Sequence, residues 1–113
     1  MHELAITTYL LESVAGEAER LGARRVMRIN LAIGERMGVV EDSLRFCFGL
    51  LTPGTVAEGA SVGVRHVEMR FDCPDHGTYP RAGDDVACPR CRRVGALADP
   101  GDELLVESME IER

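Results

Sequence analysis

Cys73-Pro74-Asp75-His76 and Cys88-Pro89-Arg90-Cys91 are two ligand pairs, of spacing C-x2-H and C-x2-C, with eleven residues between them. Each pair occupies a stretch short enough for its side chains to converge on one ion from a tight turn. Together they offer the three sulfurs and one imidazole of a tetrahedral Zn(II) site. Four protein donors leave no position for water, so the role read here is structural, not catalytic. The plainer alternative is a redox or disulfide loop. His76 earns its place by lying three residues after Cys73, since a His in a polar loop is ordinarily a surface residue.

Around these pairs, Gly77, Gly83, Pro74, Pro80 and Pro89 mark a loop-rich module with too little apolar content for a core of its own. Metal coordination, worth ~10–16 kcal/mol in structural zinc peptides, would replace that core. A zinc-binding domain over residues 72–101 is expected, and demetallation should unfold it first. Arg90, Arg92 and Arg93 surround Cys91. They would offset the negative charge of the thiolates, or form a phosphate-binding patch.

Outward from the module, Asp99-Pro100-Gly101-Asp102 closes it, and Leu104-Leu105-Val106 through Met109 and Ile111 predicts a last strand. Upstream, residues 60–71 read as a strand whose parity changes: Val62 and Val64 lie on one face, Val67, Met69 and Phe71 on the other. A β-bulge or a change of packing partner near Arg65-His66 would reconcile them. His66 is read as a strand-face residue. Met27, Ile29, Leu31 and Ile33 alternate with Arg28, Asn30 and Ala32, the pattern of a strand with one buried face.

Asp42 or Ser43 is placed to cap a helix carrying Leu44, Cys47, Phe48 and Leu51 on one stripe, which Thr52-Pro53-Gly54 ends. Cys47, remote from the ligand pairs, reads as a small apolar core residue. Leu4, Leu10, Leu11, Val14, Ala18 and Leu21 recur at helical spacing and Gly22 stands where a helix C′ residue is wanted. The resulting class is α+β: two helices on a small three-stranded sheet with an inserted zinc-ribbon-like loop. The base comprises residues 1–71 and 102–113.

The 113 residues suit one compact domain with a small metal-held appendage. Thirteen basic residues, all Arg, stand against 19 acidic ones for a net charge of −6, which argues against duplex nucleic acid as a partner. Two Tyr, three Phe and no Trp leave little for base stacking. Without a long apolar run or signal-like start the chain reads as soluble and cytoplasmic, with reduced cysteines and no membrane association.

Met1-His2-Glu3 opens the first helix. A free α-amine, the following amide nitrogen and an imidazole at residue 2 can close two adjoining chelate rings, which suits Ni(II) or Cu(II) once the amide loses its proton. A His at position 2 also has an ordinary reading as a frayed, solvated terminus.

Taken together, these stretches resemble the HypA family of nickel metallochaperones, the hydrogenase maturation factors. The residues that carry the resemblance span the chain: Met1-His2-Glu3, Arg24 to Gly34-Glu35, Leu44-Arg45-Phe46, Cys73 and His76 before Gly77, Cys88-Pro89-Arg90-Cys91, and Glu107-Ser108-Met109-Glu110. The resemblance implies Ni(II) held by the Met1 amine and the His2 backbone nitrogen and imidazole. Glu3 would be an adjacent backbone donor or orienting carboxylate. It also implies structural Zn(II) on Cys73, His76, Cys88 and Cys91. The implied partners are a HypB-type GTPase, the large subunit of [NiFe] hydrogenase, and urease maturation proteins; the implied role is delivery, not catalysis.

Two departures stand out. The family's first zinc pair is usually C-x2-C, whereas His76 here makes the site Cys3His. The acidic residue that often precedes the second helix is not cleanly matched by Val39-Val40-Glu41-Asp42. Two other readings compete. A zinc-ribbon adaptor binding RNA or protein would draw on the Arg cluster and would not need His2. A zinc deaminase is suggested by His66-Val67-Glu68 upstream of Cys88, but Ala87 stands where that signature needs Pro, and Cys73 and His76 would have no task.

Overall fold

The computed structural model describes residues 2–113, with helix α1 at Glu3–Arg20, strand β1 at Arg25–Gly34, a 3-10 turn at Glu35–Met37, and helix α2 at Glu41–Leu51. Strands β2 (Ser61–Val67), β3 (Arg70–Cys73), β4 (Gly77–Pro80), β5 (Ala96–Asp99) and β6 (Leu104–Glu112) follow. They form two three-stranded sheets, ordered β2-β1-β6 and β4-β3-β5. The first carries both helices, so the α+β class expected from the sequence is the one observed.

In the first sheet β1 runs parallel to β2 and antiparallel to β6. Parallel neighbours cannot be joined by a tight turn, and α2 is the crossover that the β1–β2 pairing requires. Ile6, Leu10, Val14 and Ala18 from α1 and Leu44 and Phe48 from α2 pack on Val26, Ile29, Leu31 and Ile33 of β1. The core is therefore one helix layer on one sheet face. Arg28, Asn30, Ser61 and Ser108 share hydrogen bonds on the opposite face, and Gly63 leaves room for the Arg28 guanidinium, which a Cβ there would meet at 2.4 Å.

Three local expectations are corrected. Val26 is fully buried whereas Met27 is exposed, because the β1–β6 register slips between Val26 and Arg28 and turns the strand over at its start. Helix α2 begins at Glu41 behind Val40, which has no side chain to cap it, so neither Asp42 nor Ser43 is the cap. Leu4 is exposed, outside the buried stripe of α1. The parity change after Val64 comes from a change of partner: β2 ends at Val67, and β3 starts at Arg70 in the second sheet.

The stretch with the two Cys/His pairs is also more regular than a loop. Phe71 and Tyr79 stack with ring centroids 5.7 Å apart, and with Cys73 and Cys88 they form a second small core. The Tyr79 hydroxyl donates to the Val86 carbonyl and accepts from Gly95 N–H, both at 2.8 Å, so one side chain ties together the segments on either side of the second turn. The molecule spans 54 × 25 × 17 Å with a radius of gyration of 17.4 Å. A compact chain of this length would have a radius of about 13 Å, so the two sheets lie end to end, not stacked.

Their junction is tightly built. The Glu35 carboxylate Oε1 accepts from Met69 N–H at 2.9 Å and from Arg81 Nε at 3.0 Å, reaching both the entry to the second sheet and the residue after β4. Gly34 N–H donates to Glu103 O and Arg36 N–H to Gly101 O. A Cβ at Gly34 would lie 1.9 Å from the Gly101 carbonyl oxygen, so only glycine admits this crossing.

Candidate metal centre

Strand β3 delivers Cys73 at its end, and the turn to β4 brings His76 back beneath it, with His76 N–H donating to Cys73 O. Gly77, at φ +79°, takes the left-handed conformation that starts β4. The second turn is closed by Cys88 N–H to Arg93 O and Arg92 N–H to Cys88 O, at 2.7 and 2.8 Å. Arg90 N–H donates to the Cys88 sulfur. Two turns from distant sequence thus face each other across one point.

At that point the ligand atoms of Cys73, His76, Cys88 and Cys91 all lie within 4.8 Å of one another. Cys73 Sγ is 3.7 Å from Cys91 Sγ, and His76 Nδ1 is 3.5 Å from the sulfurs of both Cys73 and Cys88. Zn–S bonds of ~2.3 Å and a Zn–N bond of ~2.0 Å at tetrahedral angles require edges of about 3.8 Å between sulfurs and about 3.5 Å between sulfur and nitrogen. The three edges just given match. The sulfur–sulfur edge is far longer than a disulfide, and all four cysteines of the chain are free.

The surroundings treat Cys91 and Cys73 differently. Arg93 lowers the Cys91 thiol to about 6, through its backbone N–H and then its guanidinium. At Cys73 the Asp75 N–H pulls the other way, yet burial and the neighbouring Cys91 and Cys88 sulfurs win and leave that thiol raised. Arg93 also pairs with Asp75, and Arg92 with Asp85 at 2.9 Å. Two of the three arginines near Cys91 are therefore already committed to carboxylates, which removes most of a phosphate patch.

The other sequence candidates lie toward the end of the first sheet that meets the second: His66 pairs with Ile33, next to Gly34, and Glu3 is tied to Val40, just beyond the turn that follows β1. His2 is exposed and precedes α1, its carbonyl accepting Ile6 N–H. Glu3 opens the helix, and its carboxylate accepts Val40 N–H at 3.3 Å. Met1 falls outside the described residues. His66 is not among the four converging donors; its Nε2 lies 2.8 Å from Glu41 Oε1. The bonds made by Glu35, by Tyr79 and between Glu41 and His66 were not read from the sequence. Only the position of Glu35 after the strand-ending Gly34 gave any sign of them.

An α+β base with a four-donor Cys/His knuckle inserted between two of its strands defines a protein that handles metal. A family model described as "Hydrogenase/urease nickel incorporation, metallochaperone, hypA" matches residues 1–111. The chain belongs to this HypA family, a family of maturation factors and not of enzymes. It is 41% identical to the hydrogenase maturation factor HypA of Dehalococcoides mccartyi over 99% of this chain and 95% of the relative. Identity to the factor of the same name from Caldanaerobacter subterraneus is 37%, over 99% and 100% of the two chains. The solution structure of the Ni metallochaperone HypA from Helicobacter pylori has the same fold, with a TM-score of 0.66 at 18% identity, over 98% of this chain and 97% of that one.

Proposed function

We propose that this chain carries Ni(II) at its amino terminus for maturation of [NiFe] hydrogenase, and that Cys73, His76, Cys88 and Cys91 hold a structural Zn(II). What supports the reading is the contrast between two donor sets: one converging on a point with Cys73 and Cys88 buried, the other an exposed His2 ahead of α1. The Met1 amine, His2 amide nitrogen and His2 imidazole would bind the ion. Glu3 keeps its carboxylate on Val40 N–H, which supports its part as an orienting neighbour of the chelate.

The two sets differ in what they permit. A zinc ion enclosed by four protein donors would order the second sheet and exchange slowly. An exposed chain end leaves the nickel ion open to incoming ligands, which is what hand-over to a better site demands. Because Cu(II) and Zn(II) compete for the same nitrogens, selectivity would come from planar geometry and from docking. A HypB-type GTPase, the hydrogenase large subunit and urease maturation proteins are the partners of this reading. Four unlinked cysteines fit a reducing cytoplasm, and no helix among the described residues is long and apolar enough to cross a membrane.

The test is His2→Ala. Nickel binding by calorimetry should disappear while zinc content by metal analysis stays at parent level; unchanged nickel binding overturns the terminal site. One residue added before Met1 leaves the imidazole intact but moves the amine, and should weaken nickel binding as severely. The adaptor reading predicts instead salt-sensitive RNA binding that survives loss of residues 1 and 2.

A further inference from the structure

We infer that His66 is a second imidazole donor for the nickel carried at the amino terminus. The inference rests on the terminal nickel site proposed above and adds to it a residue from a different part of the fold.

The first support is placement. The Glu3 carboxylate touches Val40 N–H, Val40 immediately precedes Glu41 at the start of α2, and Glu41 holds His66. One side chain and one peptide therefore separate the residue beside His2 from the residue that grips the second imidazole. On β2, His66 has the parity of Val62 and Val64, which pack against the core beneath the helices. It thus rises from the helix side of the sheet, and its side chain is 62% exposed.

The second support is chemical. Glu41 faces His66 Nε2 at 2.8 Å with one oxygen and accepts from Arg45 Nε with the other. A carboxylate accepts, so a neutral imidazole that donates to it from Nε2 keeps its lone pair on Nδ1. A carboxylate behind an imidazole, with the other ring nitrogen unoccupied, is the arrangement that orients metal-binding histidines. A purely mechanical tie between α2 and β2 does not need this histidine, because Arg45 already links Glu41 to the Val62 carbonyl at 2.6 Å. An imidazole at this position gives the ion a nitrogen to move onto as the terminal chelate opens.

The chain has three histidines, which makes the test decisive. With His76 occupied by prior zinc loading, X-ray absorption of the nickel complex can count only His2 and His66. The unmutated protein should show two imidazoles per nickel, and its His66 ring signals should shift in NMR spectra on adding one equivalent of Ni(II). His66→Gln should retain zinc, show one imidazole and bind nickel about tenfold or more weakly. A single imidazole in the unmutated protein, with an unmoved His66 signal, overturns the inference and leaves the terminal site standing; so does a His66→Gln protein with the parent's affinity and count. Nickel bound normally by His2→Ala would instead overturn the terminal site. Because the spectroscopy on unmutated protein decides by itself, misfolding of His66→Gln would not rescue the inference.

Discussion

Replacing Cys88 with Ser leaves three of the four converging donors and removes the sulfur that receives Arg90 N–H. Zinc content should fall below half of parent, and amides of residues 70–99 should lose hydrogen-exchange protection while those of α1 keep theirs. Val26→Ala opens a cavity under α1 at a fully buried position and should cost about 1–3 kcal/mol in denaturant unfolding. Met27→Ser, on the exposed side of the register slip, should change stability by less than about 0.5 kcal/mol. From alternation alone those two costs are interchanged. A slip of one residue is decided by which atoms of β6 face β1, and that pairing partner lies about eighty residues away in sequence. The ligand quartet was legible for the opposite reason: each pair is local, and metal chemistry restricts its spacing.

Among the elements, the helices and the strands of the first sheet could be read from the sequence because each is seven residues or longer, enough to show a pattern. The second sheet could not. Its strands are four residues each, too short for a periodic signal, and Tyr79 and Phe71 supply order through stacking and a bridging hydroxyl. The turn after β1 is where the elements are locked. Gly34→Ala pushes a methyl onto the Gly101 carbonyl and should destabilise by about 1–3 kcal/mol or more in thermal unfolding. Glu35→Ala takes the acceptor from Met69 N–H and Arg81 and should cost about 1 kcal/mol, given partial exposure. The more telling readout for Glu35→Ala is loss of fixed orientation between the two sheets, seen as divergence of their NMR rotational correlation times.

For the molecule as a whole, several carboxylates are ion-paired and held below their ordinary values. These include Glu41, by His66 and then Arg45, and Glu107, by Arg65. The folded state takes up protons less readily there than the unfolded chain does. Their contribution is therefore present above 4.5 and is lost as pH falls through the lowered values, so acid should unfold the base at a pH below 4.5. A pH titration followed by circular dichroism checks this, and 1 M salt should shrink the effect because the pairs are exposed.

The end-to-end arrangement has one more consequence. The second sheet departs from β2 and returns into β6, and both strands flank β1, with Val67 beside Gly34 and Leu104 beside Ile33. Departure and return are thus about two strand spacings apart, some 9–10 Å, a gap that three or four residues can span. Excising residues 70–99 and splicing a short glycine-containing turn in their place should yield a soluble base whose helices melt cooperatively. Such a result would make the knuckle a cassette, mounted on strands whose register it does not set.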